Sequence, residues 1–477
     1  MKKTFYITTT LPYVNSDPHV GFAMEIIRAD VIARYKKLMG YEVFFNTGTD
    51  EHGQKLFTEA EKAGISVKEY VDGYAEKFKN LKSLLGISDD VHFIRTTDTH
   101  HEKAAQAFWK LCENNGFIYK GNYQTKYCVG CELEKTDSEL VDGVCPIHPN
   151  RAIELINEEN YFFKYSAFQD KLTEFYSSHP DFVVPDFRFN EIKSFVNQGL
   201  QDFSISRQKS KMSWGIPVPG DEDHVMYVWF DALVNYVSTL GWPEDSVNFD
   251  KFWKEGTPVQ YCGKDNLRQQ SAMWQAMLMA AGLPQTSRVI VNGFITGDGG
   301  IKMSKSLGNV INPVDIVSEY GTDALRFFLL GEVSSFEDSP FTLERFKEVY
   351  NSQLANGIGN LTSRIMKMSE TYGVKCHCDD TLSEKVCENL EQFNIKSEMD
   401  DILAGVKHLD EYIQQEQPFK KIKIDEEGAK KDVQYLLGHL FNIALRLSPF
   451  IPETSEKIIS AIKANKMPES PLFLRKD

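Results

Sequence analysis

Within its first fifty residues the chain passes from one strand-like stretch through a break and a helical repeat to a second strand-like stretch. Few folds accommodate that order. Residues 5–10, Phe-Tyr-Ile-Thr-Thr-Thr, are aromatic or β-branched and suit a buried strand. Pro12 and Asn15-Ser16-Asp17-Pro18 end it, because proline cannot donate to a ladder and short polar side chains favour turns. Asp17 can then N-cap a helix with Pro18 at its first position. The helix runs to about residue 37 and carries Ile26, Ile27, Val31, Ile32 and Tyr35 on one face. A second strand over 42–47 leads into Gly48-Thr49-Asp50-Glu51-His52-Gly53. Strands joined by a helical crossover run parallel, are covered on both faces, and bind ligands at their carboxyl ends. The expected fold of this part is therefore a parallel α/β sheet. His19 is placed in the first turn of the helix, where free N–H groups and the helix dipole favour an anion.

From about residue 115 to 224 the pattern changes to short polar and aromatic strands. Cys128-Val129-Gly130-Cys131 and Cys145-Pro146-Ile147-His148 are separated by thirteen residues. Each is a tight turn with two soft ligands, and together they can close a tetrahedral Cys₃His zinc site with no open position. Such a zinc is structural, stapling an insertion that lacks a core of its own. The ligands are expected to lie away from the substrate pocket. The other five cysteines, Cys112, Cys262, Cys376, Cys378 and Cys387, show no framework spacing, which points to free thiols in a reducing, cytoplasmic compartment. Strand-type sequence resumes over 225–230, and Trp229, Phe230, Asp231, Ala232, Leu233 and Tyr236 fall at helical spacing. Residues 260–265 suit a strand ending in a loop, 271–281 a Met-rich helix, and 288–292 another short strand. Beyond residue 338 only helical periodicity remains, over 343–368, 382–417, 433–447 and 453–462, which predicts an all-α helical bundle.

Charge limits the function classes. The 477 residues carry a formal net charge of −15, which argues against broad non-specific nucleic-acid binding. Any RNA partner must be met by local patches such as Pro418-Phe419-Lys420-Lys421-Ile422-Lys423. Alone, such a patch is usually a solvated face; beside an RNA-charging core it could stack bases. No apolar run reaches the length of roughly 18 residues that a membrane span needs, and the first residues lack the apolar core of a signal peptide.

Lys302-Met303-Ser304-Lys305-Ser306 follows Thr296-Gly297-Asp298-Gly299-Gly300 and precedes Leu307-Gly308-Asn309. A Gly-flanked loop with two lysines and neighbouring hydroxyls suits a polyphosphate whose charge moves during reaction. The pentapeptide resembles the signature loop of class I aminoacyl-tRNA synthetases. The run from Leu11 to Gly21, ending Pro18-His19-Val20-Gly21, resembles the first signature of that class in the form found in methionyl-tRNA synthetases. With residues 48–53, Trp229-Phe230-Asp231-Ala232 and Gly263-Lys264-Asp265, the chain resembles that family from end to end.

The resemblance implies a first Rossmann half over 1–114, a connective insertion with a zinc knuckle over 115–223, and a second half over 224–297. The signature loop and a stem-contact region would occupy 298–345, and a helical anticodon-binding domain 346–477. The implied reaction is ATP-dependent attachment of methionine to its tRNA through methionyl-adenylate, with Mg²⁺ accompanying ATP and Zn²⁺ structural. His19, Lys302 and Lys305 would act on the phosphates. Gly21, Lys264, Asp265 and Ser304 would complete the ATP site. Asp50 would bind the ammonium of methionine, and Leu11, Tyr13, Trp229, Ala232, Leu233, Tyr236 and Gln270 would line its pocket. Asn360, Arg364 and Phe419 would meet the anticodon. No further domain follows the bundle in this sequence, so a compact cytoplasmic monomer without membrane association is expected.

The chain departs from the family pattern at three places. Phe22 stands where the first signature has its second His, Gln270 where the pocket has a His, and Phe419 where the anticodon site has a Trp. Activity is expected to persist with altered ATP and inhibitor affinity. Two rival readings are a synthetase for leucine, valine, isoleucine or cysteine, and a non-catalytic tRNA-binding paralogue. The insertion is too short for a large editing domain, which weighs against the branched-chain enzymes. The intact signature loop, Asp50 and Lys264-Asp265 weigh against the paralogue.

Overall fold

The computed structural model describes residues 3–131, 133–135, 137–301, 303, 310–376 and 388–476. Six parallel strands form its central sheet: β1 (Thr4–Thr8), β2 (Glu42–Thr49), β3 (His92–Arg95), β4 (Val183–Val184), β5 (Thr257–Gly263) and β6 (Arg288–Asn292), in the order β3-β2-β1-β5-β6-β4. The chain leaves β1 toward β2 on one side and later returns to it through β5 on the other. That reversal opens a crevice at the carboxyl ends of β1 and β5, where open α/β sheets bind ligands.

Alternation along the strands builds two cores. Phe5 and Ile7 of β1, Val259 and Tyr261 of β5, and Ile290 of β6 face helix α1 (Val20–Leu38). Tyr6, Cys262, Val289 and Val291 face the opposite side, where Phe108, Trp109, Phe230 and Trp274 pack. On the α1 side, Ile27, Val31, Ile32 and Tyr35 are fully buried as their spacing predicts.

The insertion holds a four-stranded sheet of Leu133–Lys135, Ile118–Cys128, Glu154–Phe163 and Phe203–Ser204, its neighbouring strands antiparallel. The expectation of short strands alone is corrected here. Helices Gln169–Ser178 and Asp186–Asn197 also form, burying Leu172, Phe175 and Tyr176 and then Phe189, Ile192 and Val196. Between them β4 joins the edge of the central sheet beside β6. The return strand from the insertion ends at Met226, and Val228–Ala232 is helical instead of continuing it.

In the C-terminal part, Leu343–Val349, Tyr350–Gly359 and Asn360–Tyr372 follow one another without a break, as expected, with Ile395–Glu416, Glu426–Leu447 and Pro452–Ala464 packed around them. This bundle shares the α1-side core: Ile7 and Val259 belong to the same buried cluster as Leu440 and Ile458. Arg326, on helix Thr322–Gly331, lies fully buried at the junction. It donates to the carbonyls of Pro449 and Phe450 on the bundle side, to those of Leu85 and Gly86, and to Asp30 of α1 at 2.9 Å. No helix among the described residues is long and apolar enough to cross a membrane. Cys376, expected as a free thiol, is disulfide-bonded; Cys378 and Cys387 lie outside the described residues.

Candidate active site

Behind β1, Tyr13 and Asp50 form an isolated parallel bridge. Asp50 N donates to Pro12 O at 3.0 Å, and Val14 N donates to Asp50 O at 3.2 Å. The bridge fixes an aromatic ring and a carboxylate side by side at the sheet's carboxyl edge. Opposite them, the short helix Val228–Ala232 presents Trp229 and Ala232, the turn after it presents Leu233, and the next short helix, Asn235–Ser238, presents Tyr236. These residues, with Leu11, Asp265 and Gln270, line one cavity of about 460 Å³. All the expected amino-acid pocket residues therefore converge on one space.

The polar end of this cavity is firmly built. Gln270, almost wholly buried, donates from Nε2 to the Tyr236 hydroxyl at 2.6 Å. Burial holds the Tyr236 phenol well above its usual range, so it keeps its proton. Its ring packs edge-on against Trp274 with centroids 5.8 Å apart. A hydroxyl that already accepts from Gln270 retains its own hydrogen for a weak acceptor such as a thioether sulfur.

His19 is where the helix start differs from expectation. It is the N-cap of α1, not a first-turn residue. Its backbone is extended, and Nδ1 accepts from the Gly21 N–H at 3.1 Å. A Cβ on residue 21 would stand 2.8 Å from His19 Cε1, so glycine is needed for this close return. Asp17, expected as the cap, instead pairs with Lys77 at 2.6 Å. Phe22 lies tilted against the His19 ring, centroids 4.4 Å apart, packs edge-on against Phe78, and lines the cavity. The missing imidazole is thus replaced by an apolar wall that supports His19. Val20 N donates to Ile311 O at 3.2 Å, which brings the segment following the lysine loop to the same helix start. Lys302, Ser304 and Lys305 themselves lie outside the described residues.

Lys264 does not line the cavity. Its ammonium pairs with Asp338 at 2.6 Å and sits 4.5 Å from the Phe294 ring centre, while exposed Asp265 reaches the cavity. In the bundle, exposed Asn360 opens its helix, Arg364 is ion-paired with Asp410, and Phe419 is 43% exposed on the short helix Pro418–Lys421.

The soft-ligand cluster corrects another expectation. Sγ of Cys128, Cys131 and Cys145 and a ring nitrogen of His148 lie within 4.8 Å of one another, with Cys131 Sγ 3.2 Å from His148 Nδ1. Zinc bonds of roughly 2.0–2.3 Å in a tetrahedron need ligand separations of this order, so the donors fit the ion. Gly130 permits the turn, since a Cβ there would meet His148 Cγ at 2.5 Å. Yet the cluster is not remote from the pocket: Gly130, Cys131, Ile147 and His148 line the same cavity as Tyr13 and Trp229. The insertion folds back over the sheet's carboxyl edge, which sequence distance hides.

Among the wall residues that the sequence reading does not assign to the site are Lys55, Asn15, Asn235, Gln269 and Phe294. Lys55, whose ammonium lies 5.7 Å from the Tyr13 ring centre, follows directly on residues 48–53 and could have been found as a cation close behind Asp50.

Comparison with known proteins agrees with this geometry. The family model for tRNA synthetases class I (M) matches residues 5–154 and 136–366, and that for the anticodon binding domain of methionyl tRNA ligase matches 380–471. The methionine–tRNA ligase of Caldanaerobacter subterraneus is 42% identical over 97% of this chain and 74% of its own length. That of a Nostoc species is 40% identical over 96% and 89% respectively. The solved Mycobacterium tuberculosis methionyl-tRNA synthetase in complex with methionyl-adenylate superposes with a TM-score of 0.92 at 33% identity, covering 99% of this chain and all of that one. Cavity, helix start and matched sequence together make the chain a member of the class I methionyl-tRNA synthetases.

Proposed function

We propose that this chain activates methionine with ATP and transfers it to its tRNA. The observation that carries the reading is the convergence of Asp50, Tyr13, Trp229, Tyr236 and Gln270 on one cavity beside the His19-capped helix start. Asp50 holds the substrate ammonium, a role for which a nearly buried carboxylate is the natural partner. Leu11, Tyr13, Trp229, Ala232 and Leu233 enclose the side chain, and the Tyr236–Gln270 pair meets the sulfur.

With the ammonium held, the methionine carboxylate points toward the start of α1. It attacks the α-phosphate of ATP, the bond to the β-phosphate breaks, and pyrophosphate leaves with its electron pair. The 2′-hydroxyl of the terminal tRNA adenosine then takes the aminoacyl group and AMP departs. Neither step needs a protein nucleophile; alignment and charge stabilisation do the chemistry. His19 and the N–H groups of α1 receive phosphate oxygens, Gly21 lets the ring return, Lys264 and Asp265 contact the nucleotide, and Lys302, Ser304 and Lys305 hold the departing pyrophosphate. Mg²⁺ bound with ATP would screen the phosphate charge. Cys128, Cys131, Cys145 and His148 would hold a zinc ion, which would clamp the two turns that wall the cavity. Asn360, Arg364 and Phe419 meet the anticodon.

Amino-acid-dependent ATP–pyrophosphate exchange with each of the twenty amino acids tests the reading. Exchange is expected with methionine. Exchange with a different amino acid would mean that the pocket changes have switched the substrate, and none at all in zinc-filled protein would favour a tRNA-binding paralogue. Metal analysis is expected to find one zinc per chain, nearly abolished by Cys145→Ser. Full zinc retention in that variant would remove Cys145 from the ligand set.

A further inference from the structure

A buried group outside the expected site connects its two walls. Asp231 is completely buried in the helix Val228–Ala232, between the cavity residues Trp229 and Ala232. His52, only 3% exposed, lies two residues after Asp50 and brings Nδ1 to 3.2 Å from Asp231 Oδ2. His101, completely buried on the helix Thr99–Asn114, places Nε2 4.0 Å from Asp231 Oδ1, and its Nδ1 is 2.9 Å from the Ser238 hydroxyl. Among the described residues no lysine or arginine forms an ion pair with Asp231.

We propose that Asp231 is a positioning residue for methionine: clasped between His52 and His101, it fixes the Trp229–Ala232 wall against the segment that carries Asp50. The proposal rests on the methionine-activating reading and adds residues that do not touch the substrate.

The physical case begins with cost. A carboxylate removed from water is unfavourable unless a cation or donors meet it, and an apolar trio of similar volume would be no less stable. Here imidazoles are what meets it. The charged and titratable groups facing the clasp divide clearly. Glu51 is already taken up by Arg95, Thr49 and Thr97. Glu102 acts on His52 at longer range and favours its charged form. His101 is driven down to about 3 by burial, with His52 and His100 adding to the effect, so it stays neutral. For His52, burial is the largest single influence and opposes charging, but Asp231, with Glu102 and Glu51 adding to it, holds the imidazolium above its usual range, while burial raises the Asp231 carboxyl. The titrating member is therefore His52. Its charged form is present at low pH, and the ionic part of the clasp is lost as pH rises through that elevated value.

The geometry ties this charge to substrate. Asp50 and His52 share one short segment, while Trp229 and Ala232 flank Asp231. Weakening the clasp lets the two walls separate around the amino acid without disturbing the helix start where ATP is held.

The test uses the full chain and begins with methionine-dependent exchange by the unaltered protein. Absence of that exchange would overturn the functional reading; the clasp is still judged then from methionine binding, measured by calorimetric titration. Asp231→Asn keeps the shape and removes the charge. The expected result is a rise of about tenfold or more in KM or Kd for methionine, with KM for ATP within twofold. A methionine constant within twofold of the parent, or an equal rise for ATP, would overturn the proposal. His52→Gln supplies a second reading should Asp231→Asn fail to fold. In the parent the methionine constant should rise with pH through the His52 transition, and in His52→Gln that component should vanish. The same pH profile in both proteins would overturn it.

Discussion

Asp50→Asn is expected to lower kcat/KM for methionine in pyrophosphate exchange by about thirtyfold or more, with KM for ATP nearly unchanged. Removing one partner of a desolvated charge pair costs roughly 2–5 kcal/mol, and each 1.4 kcal/mol is about tenfold. The fold should be indifferent. Backbone bonds to Pro12 and Val14 help to place residue 50, and asparagine keeps them. The measurement is a methionine titration at saturating ATP beside a thermal melt. A kcat/KM within threefold of the parent would show that the ammonium is bound elsewhere.

Arg326→Met is expected to produce the largest loss of stability, about 3–5 kcal/mol, the usual cost of breaking a buried pair from one side. The change strips the donor from four carbonyls and from Asp30 at once. Arg34 and Ser88 still reach Asp30, at 2.8 Å and 2.6 Å, which softens the effect at that end. Burial alone would push the Asp30 carboxyl up; Arg326 and Arg34 outweigh it and hold it below its usual range. A carboxyl depressed in the folded state contributes stability above its unfolded value that is lost as pH falls through the folded one. The parent should therefore lose stability more steeply than Arg326→Met below the ordinary carboxylate range. Urea titrations at several pH values measure both effects. Equal midpoints for parent and variant would show that the hub contributes nothing net.

Much of the site was legible because its residues sit at strand ends. The alternation in β1, β5 and β6 and the turn chemistry after β1 and β2 are local signals, and they deliver Tyr13, Asp50 and the helix start to one edge. The 228–232 helix was readable from spacing, although not the point at which the preceding strand stops. What escaped was set by tertiary contact. Capping passed from Asp17 to His19 because Lys77, sixty residues away, takes the aspartate while a glycine lets the imidazole fold back. The short β4 exists only by pairing with β6. The cysteine turns were recognised as a ligand set, but their position over the cavity depends on how the insertion folds back. The buried histidines carry no periodic signature at all; only packing reveals what lies between them.

The shared core and the Arg326 hub also bear on how such a chain can be cut. Residues such as Leu440 and Ile458 are covered together with Ile7 and Val259, so a break near residue 345 would expose apolar surface on both pieces. It would also leave a guanidinium on the N-terminal fragment whose acceptors at Pro449 and Phe450 had gone with the other. The tail is thus no detachable cassette. Grafting it onto another catalytic half would demand matching side chains at positions 30 and 326 and carbonyls placed as at 85 and 86, and fragments produced separately should regain activity only by binding each other.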